Sequence, residues 1–109
     1  MLMNQKEVNG VTVLYPLENL VGETVEALNE ELEKFTDEKS DGKYLINLKN
    51  ISQIDSYALS ILATFGSTLN ETEGSLSFSN LQPFILSVFK MMRMDDIFKI
   101  FDDESDCLK

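Results

Sequence analysis

The chain has 109 residues, of which 43% are hydrophobic, and its 19 acidic and 9 basic residues give a formal net charge of −10. This length predicts a single domain over residues 1–109, with enough apolar residues for a hydrophobic core. The negative charge argues against binding to nucleic acid or to an anionic membrane surface, and it would attract a basic protein partner.

The first half of the chain predicts a pair of strands, a helix and a buried strand. The region around Val8, Val11, Val13 and Tyr15 is rich in β-branched residues, and Asn9-Gly10, a strong turn signal, separates segments 2–8 and 11–15. They pair as an edge hairpin or form one bent strand, which Pro16 ends. An apolar stripe at spacings of three and four predicts a helix over residues 23–34. Residues 44–48 are a short apolar run, which is typical of a buried strand.

The second half predicts two more helices and two more strands. Residues 59–69 form an amphipathic stretch after Asp55-Ser56, and residues 75–79 alternate apolar and polar positions as a strand does. Pro83 suits the first turn of a third helix that runs to about Met92, with Asn80 as the candidate N-cap. Residues 97–101 predict a last short strand.

The order of these elements predicts an α/β fold with a mixed, mostly parallel sheet of four to five strands and crossover helices. The acidic residues 102–109 are expected to form a frayed tail. Most apolar side chains of the third helix and the segment after it are expected in the core, with Phe84 the most exposed of them. These residues are Phe84, Ile85, Val88, Phe89, Met91, Met92 and Met94.

The sequence lacks the residues of common catalytic sites. It has no histidine, and its single cysteine, Cys107, cannot form an internal disulfide. Its glycines form no phosphate-binding cluster and no metal-ligand spacing is present, so no cofactor, metal or enzymatic activity is expected. The lone cysteine, the absence of an apolar run of about 20 residues and the absence of a signal peptide favour a reducing cytoplasm.

Asp55 and Ser56 are the most informative residues, because the pattern places them where an apolar strand gives way to a helix. A hydroxyl at a helix N-terminus lies among unpaired backbone N–H groups and tolerates an added phosphate. Serine and aspartate are also common N-cap residues. The residues alone therefore leave two readings of Ser56 open, a modification site and a helix cap.

The strand-to-helix junction, in this order of elements, resembles the STAS-domain family of anti-sigma factor antagonists. The likeness extends over residues 8–101. Family members typically carry Asp-Ser-Ser/Thr-Gly-Leu-Gly after a strand. The segments that carry the likeness are Asp55-Ser56-Tyr57-Ala58-Leu59-Ser60, Tyr44-Leu45-Ile46-Asn47-Leu48-Lys49-Asn50-Ile51 and Met94-Asp95-Asp96-Ile97-Phe98-Lys99-Ile100-Phe101.

The resemblance implies a STAS-like fold and regulation by partner switching. Ser56 would be phosphorylated by a serine kinase that is also the anti-sigma factor, and a phosphatase would remove the phosphate. The unphosphorylated protein would bind that kinase and free the sigma factor. The residues implied in phosphorylation or partner binding are Asp55, Ser56, Tyr57, Ala58 and Ser60.

Three residues depart from the family motif. Tyr57 replaces a small hydroxyl residue, and Ala58 and Ser60 replace glycines. This variant resembles family members that act as scaffolds in signalling complexes. The alternative function is therefore an unphosphorylated STAS scaffold or a transport-accessory module that binds other proteins, and a small enzyme is the least favoured class.

Overall fold

The computed structural model describes residues 2–108, which form one five-stranded sheet with helices. The strands are β1 (Met3–Val8), β2 (Val11–Pro16), β3 (Lys43–Asn47), β4 (Ser75–Ser79) and β5 (Lys99–Phe101), and the helices are α1 (Thr24–Glu38), α2 (Ser56–Asn70), α3 (Pro83–Met91), α4 (Met94–Ile97) and α5 (Glu104–Cys107). The strands lie in the order β1-β2-β3-β4-β5, and only β1 and β2 are antiparallel. The predicted α/β fold with a mostly parallel sheet is confirmed.

The first two strands form the hairpin rather than one bent strand. Asn9 and Gly10 both have positive φ, 52° and 81°, as a two-residue hairpin turn with a right-handed twist requires. Val8 therefore pairs with Val11, and the register continues to Met3 opposite Pro16. The hairpin makes β1 an edge of the sheet.

The main core lies between the sheet and the helices that connect its parallel strands. Consecutive parallel strands joined by right-handed crossovers place α1, α2 and α3 on the same face of the sheet. Leu14, Ile46 and Phe78 point to this face from three neighbouring strands and pack with buried residues of all three helices. No helix within residues 2–108 has both the length and the apolar character needed to span a membrane.

The start of α3 differs from the prediction in its capping residue. Gln82, not Asn80, is the N-cap, and its side chain makes no capping hydrogen bond. Asn80 directly follows β4 and remains bound to β5, because its N–H donates to the carbonyl of Phe101 at 3.3 Å. Its φ of 58° then turns the chain toward α3.

The end of α3 also differs, and the core positions of Met91 and Met92 were wrongly predicted. Met91 is 77% exposed and Met92 51% exposed, whereas Met94 is buried. The cause is the end of α3 at Met91 and the left-handed turn at Arg93, which reorients the chain into α4. Phe84 is exposed, as expected. Residue 97 ends α4 and does not begin the last strand.

The face of the sheet opposite α1 and α2, here called the outer face, is covered by the C-terminal segment. Val13 and Leu45 are paired neighbours that are fully buried, yet they lie outside the main core cluster. The helix α5 packs on β3, β4 and β5 above this face. The acidic tail was expected to fray, but residues 104–107 are helical because Glu104 is tied to the sheet. Residue 109 lies outside the described residues.

Candidate functional site

The residues before α2 are held in an extended conformation by the loop between β2 and α1. Leu20 and Ile54 form an isolated parallel bridge. The N–H of Leu20 donates to the carbonyl of Gln53 at 3.1 Å, and the N–H of Asp55 donates to the carbonyl of Leu20 at 3.0 Å. β3 ends at Asn47, so this short paired segment, and not β3 itself, leads into the helix.

Asp55 is the N-cap of α2. Its backbone is extended, and its Oδ1 accepts a hydrogen bond from the N–H of Ala58 at 2.8 Å. Its Oδ2 accepts a second hydrogen bond from the N–H of Gly22 at 3.2 Å. The same carboxylate therefore caps the helix and fixes the neighbouring loop.

Ser56 is the first residue of α2, so the structure rules out the reading of Ser56 as the cap. Its side chain is exposed, and within residues 2–108 its hydroxyl makes no hydrogen bond. The hydroxyl lies at the positive end of a 15-residue helix. It is therefore accessible, and the described part of the chain does not use it.

Of the other site residues predicted from the sequence, Tyr57 and Ser60 lie at the surface and Ala58 lies in the core. Tyr57 is 56% exposed. Ser60 is exposed one turn later, and its hydroxyl donates to the carbonyl of Tyr57 at 2.9 Å. Ala58 is fully buried, so its side chain packs in the core and only its backbone N–H takes part in the site.

Two residues of the β2–α1 loop support the site, and no spacing in the sequence indicates them. The side-chain Oδ1 of Asn19 accepts hydrogen bonds from the N–H groups of Ser52 and Gln53, at 2.8 and 3.1 Å. Gly22 has a φ of 59°, a conformation that favours glycine, and its N–H binds Asp55. These partners lie more than 30 residues apart in sequence, so only the tertiary pairing of Leu20 with Ile54 brings them together.

A second polar cluster, the Glu104 cluster, lies on the outer face. The hydroxyl of Tyr15 donates to both carboxylate oxygens of Glu104, at 2.9 and 3.0 Å, and Nδ2 of Asn47 donates to Oε1 at 2.7 Å. Nζ of Lys6 lies 3.2 Å from Oε2. Burial opposes ionisation of Glu104, but the hydrogen bonds from Asn47, Tyr15 and Lys6 outweigh it and hold the pKa of Glu104 below its usual value.

Within residues 2–108, no group of histidine, cysteine, aspartate or glutamate side chains is arranged to hold a metal ion. At the carboxyl edge of the parallel strands, three large apolar side chains are exposed on the segments that precede or begin the helices. They are Leu17, Tyr57 and Phe84. What the Ser56 region offers is therefore an exposed hydroxyl, a fixed helix N-terminus and an aromatic ring.

Solved structures share this fold at low sequence identity. An anti-sigma-factor antagonist (STAS) domain protein from Planctomyces limnophilus is similar with a TM-score of 0.86 and 18% identity, over 97% of this chain and 94% of that chain. An anti-sigma factor antagonist from Mycobacterium paratuberculosis gives 0.85 and 19%, over 97% and 89%. The Bacillus cell fate determinant SpoIIAA in its phosphorylated form gives 0.72 and 15%, over 96% of both chains.

Identities this low show the likeness of fold alone. A comparison with curated protein sequences finds no match. A family model, that of the STAS domain, matches residues 3–107, which include the whole sheet and all of its helices. The chain belongs to the STAS domain family.

Proposed function

We propose that this protein is an anti-sigma factor antagonist that acts by partner switching and is controlled by phosphorylation of Ser56. The observation that carries the proposal is the exposed hydroxyl of Ser56 at the start of α2, which makes no hydrogen bond within residues 2–108 and lies beside a cap that Asp55 supplies. The family and the fold shared with anti-sigma factor antagonists support this function. This role also implies a cytoplasmic protein.

A phosphate on Ser56 fits the start of the helix. It would add a charge of about −1.5 to −2 and three strong acceptor oxygens. Within residues 2–108, the N–H groups of Ser56 and Tyr57 have no acceptor, since the cap binds the N–H groups of Ala58 and Leu59. The nearby Asp55 carboxylate is itself bound by two backbone N–H groups, which moderates its repulsion of the phosphate. The modified domain therefore stays folded.

The same phosphate would act as a switch at the partner interface. The proposed contact surface consists of Asp55, Ser56, Tyr57 and Ser60, together with the backbone of Ala58. The partners are a serine kinase that also serves as the anti-sigma factor and a phosphatase that reverses the modification. A contact optimised for a neutral hydroxyl loses affinity when a dianion is placed in it, and each 1.4 kcal/mol lost weakens binding about tenfold.

The test is phosphorylation in vitro by a serine kinase encoded next to this gene. With ATP, mass spectrometry should find one phosphate, on Ser56, and none in Ser56→Ala. Ser67→Ala is the matched control, because Ser67 is an exposed serine on the same helix and lies outside the proposed contact surface. Ser56→Asp should bind the kinase at least tenfold more weakly than the unmodified protein. Phosphate elsewhere, or undiminished kinase binding by Ser56→Asp, would contradict the switch.

The second candidate is an unphosphorylated scaffold or a transport-accessory module, and Tyr57 favours it. The ring is exposed directly beside Ser56, where the family motif has a small hydroxyl residue. A large ring can limit access of a kinase to Ser56 and can serve as an anchor for another protein. If this function is correct, Tyr57→Ser should permit phosphorylation that the unmodified sequence resists, and Tyr57→Ala should abolish binding of the scaffold partner.

A further inference from the structure

The outer edge of β1 is an open strand edge in the part of the chain that the structure describes. β1 pairs with β2 alone, and its 6 residues make it twice as long as β5, the strand at the other edge of the sheet. It contains no proline, and its register with β2 is continuous, without a bulge. Short length, proline, bulges and charged side chains are the features that block an edge from pairing with another strand. Of these, β1 has only the charged side chains of Lys6 and Glu7.

The backbone groups that β1 turns outward follow from its pairing with β2. The N–H of Leu17 donates to the carbonyl of Leu2 at 2.9 Å, which continues the register of the hairpin. In an antiparallel pair, hydrogen-bonded and non-hydrogen-bonded positions alternate. Every second residue after Leu2 therefore bonds to β2, and the residues between them direct their N–H and carbonyl groups away from it. These outward residues are Met3, Gln5 and Glu7.

The charged side chains of β1 leave this edge open. Lys6 lies over the outer face, where its Nζ is 3.2 Å from Oε2 of Glu104. Glu7 is its neighbour in the strand and therefore points to the opposite face, the one that α1 covers. Glu7 is exposed and forms no ion pair within residues 2–108. A strand that pairs with β1 therefore meets one cation that already has a partner and one carboxylate that has none.

A groove of about 280 Å³ lies between β1 and α1, and it contains a lysine without a partner. Lys34 lines this groove together with Met3 and Gln5, and within residues 2–108 it forms no ion pair. The groove also contains two carboxylates. Oε2 of Glu31 accepts the N–H of Leu2 at 3.2 Å, and the other carboxylate is that of Glu38.

We propose that β1 pairs with β1 of a second copy of this chain, antiparallel and centred on Gln5, so that a twofold axis joins two five-stranded sheets into one. This register sets Gln5 opposite Gln5 and Met3 opposite Glu7, so every outward residue exchanges two hydrogen bonds with its counterpart. Lys6 then lies opposite Asn4. A register centred on Lys6 would set two lysines opposite each other, which is unfavourable.

Charge complementarity identifies the second copy as the occupant of this edge. With Met3 opposite Glu7 of the second copy, that carboxylate lies beside the groove in which Lys34 has no ion-pair partner. The twofold axis repeats the contact, because each copy supplies one Glu7 and one Lys34. Ser56 lies outside β1 and the groove, so the dimer presents two copies of the proposed contact surface to a partner.

Sedimentation velocity of the full chain at increasing concentration tests the dimer, at moderate salt because each copy carries a net charge of −10. We expect a reversible equilibrium between monomer and dimer. Gln5→Pro removes an outward N–H that β2 does not use, and proline is tolerated at such an edge position. It should keep the circular dichroism spectrum of the unmodified chain and weaken dimerisation at least tenfold. Gln5→Ala keeps the N–H and should dimerise like the unmodified chain.

A charge exchange tests the contact between Lys34 and Glu7. Lys34→Glu should weaken dimerisation severalfold, because it sets like charges side by side. Lys90→Glu makes the same change in net charge at an exposed position outside the groove, and its effect should be smaller. Adding Glu7→Lys to Lys34→Glu restores both the net charge and the opposite signs, so dimerisation should recover. A double variant that dimerises no better than Lys34→Glu would contradict the contact.

Cysteine cross-linking tests the register, in a chain whose free cysteine is removed by Cys107→Ser. The Cα atoms of the two Gln5 residues would lie about 5.5 Å apart, within reach of a disulfide. Those of the two Glu7 residues would lie about 14 Å apart, which is too far. Gln5→Cys should therefore form a covalent dimer under mild oxidation, and Glu7→Cys should not.

Three results would overturn the proposed dimer. The first is that Gln5→Cys forms no more covalent dimer than Glu7→Cys. The second is that Gln5→Pro dimerises as tightly as Gln5→Ala, since the contact would then not use the backbone of β1. The third is that the unmodified chain stays monomeric up to its solubility limit, which would leave this edge to a strand of another protein.

Discussion

At the scale of single residues, Asp55 caps α2 and Ser56 presents an exposed hydroxyl, and the sequence alone could not assign these two roles. Both residue types cap helices well, and they are adjacent, so the helix could begin after either one. The loop from the β2–α1 connection decides between them, because Gly22 and Leu20 bind Asp55 and hold its backbone extended. Ser56 is therefore the first helical residue, and its hydroxyl has no partner among residues 2–108.

This division predicts different effects for two alanine substitutions. Asp55→Ala removes the cap of α2 and leaves the N–H of Gly22 without its acceptor, so we expect a loss of about 1–2 kcal/mol in the free energy of unfolding. Ser56→Ala removes no hydrogen bond within residues 2–108 and should change stability by no more than about 0.5 kcal/mol. Urea unfolding followed by circular dichroism measures both. The reverse order of effects would identify Ser56 as the cap.

At the scale of elements, local sequence patterns predicted most of the strands and helices. Asn9-Gly10 gave the hairpin, and the apolar stripes gave α1 and α2, although α1 continues to Glu38. The errors lie where distant contacts decide the conformation. Asn80 is a good cap by type, but the hydrogen bond from its N–H to the carbonyl of Phe101 ties it to β5. The helix α5 has no strong local signal, and its contacts with Tyr15 and Asn47 span most of the chain.

The packing of α2 on the sheet depends on a glycine in the second half of the helix. Gly66 is buried, and a Cβ there would overlap the ring of Phe98 and lie 3.2 Å from Cδ2 of Leu76. The overlap costs about 1–3 kcal/mol, while alanine returns about 1 kcal/mol of helix propensity. We expect Gly66→Ala to destabilise the protein by up to about 2 kcal/mol in urea unfolding. Ser67→Ala, exposed at the next position of α2, should be nearly neutral, and a stabilised Gly66→Ala would contradict this packing.

At the scale of the whole molecule, the sheet is covered differently on its two faces. The crossover helices bury one face, and the short α5 with the residues around it covers Val13 and Leu45 on the other. The alternation of strands and helices in the sequence predicted that crossover helices cover one face of the sheet. The sequence did not predict that the C-terminal segment covers the outer face, because residues 102–106 are mostly acidic and are typical of a solvated tail. Their carboxylates are stable there because the outer face supplies donors from Tyr15, Asn47 and Asn80.

The contacts that hold the C-terminal segment on the outer face make the stability of the protein sensitive to acid. The pKa of Glu104 is held below its usual value, and hydrogen bonds from Ser105 and Asn80 lower the pKa of Asp103 to about 2. A carboxyl group whose pKa is lower in the folded state stabilises the fold above its unfolded pKa, and this contribution is lost as the pH falls through the folded pKa. We therefore expect the melting temperature to fall as the pH is lowered from about 5 toward 2.

The contribution of Glu104 to this pH dependence can be measured by substitution. Glu104→Gln keeps the size of the side chain but has no charge to lose, so its melting temperature should be lower than that of the unmodified chain at pH 7 and should fall less steeply below pH 5. Asp95→Asn is the matched control, because Asp95 is an exposed carboxylate on α4. It should keep the full pH dependence. If both variants melt with the same pH dependence as the unmodified chain, the Glu104 contacts do not hold the C-terminal cover on the sheet.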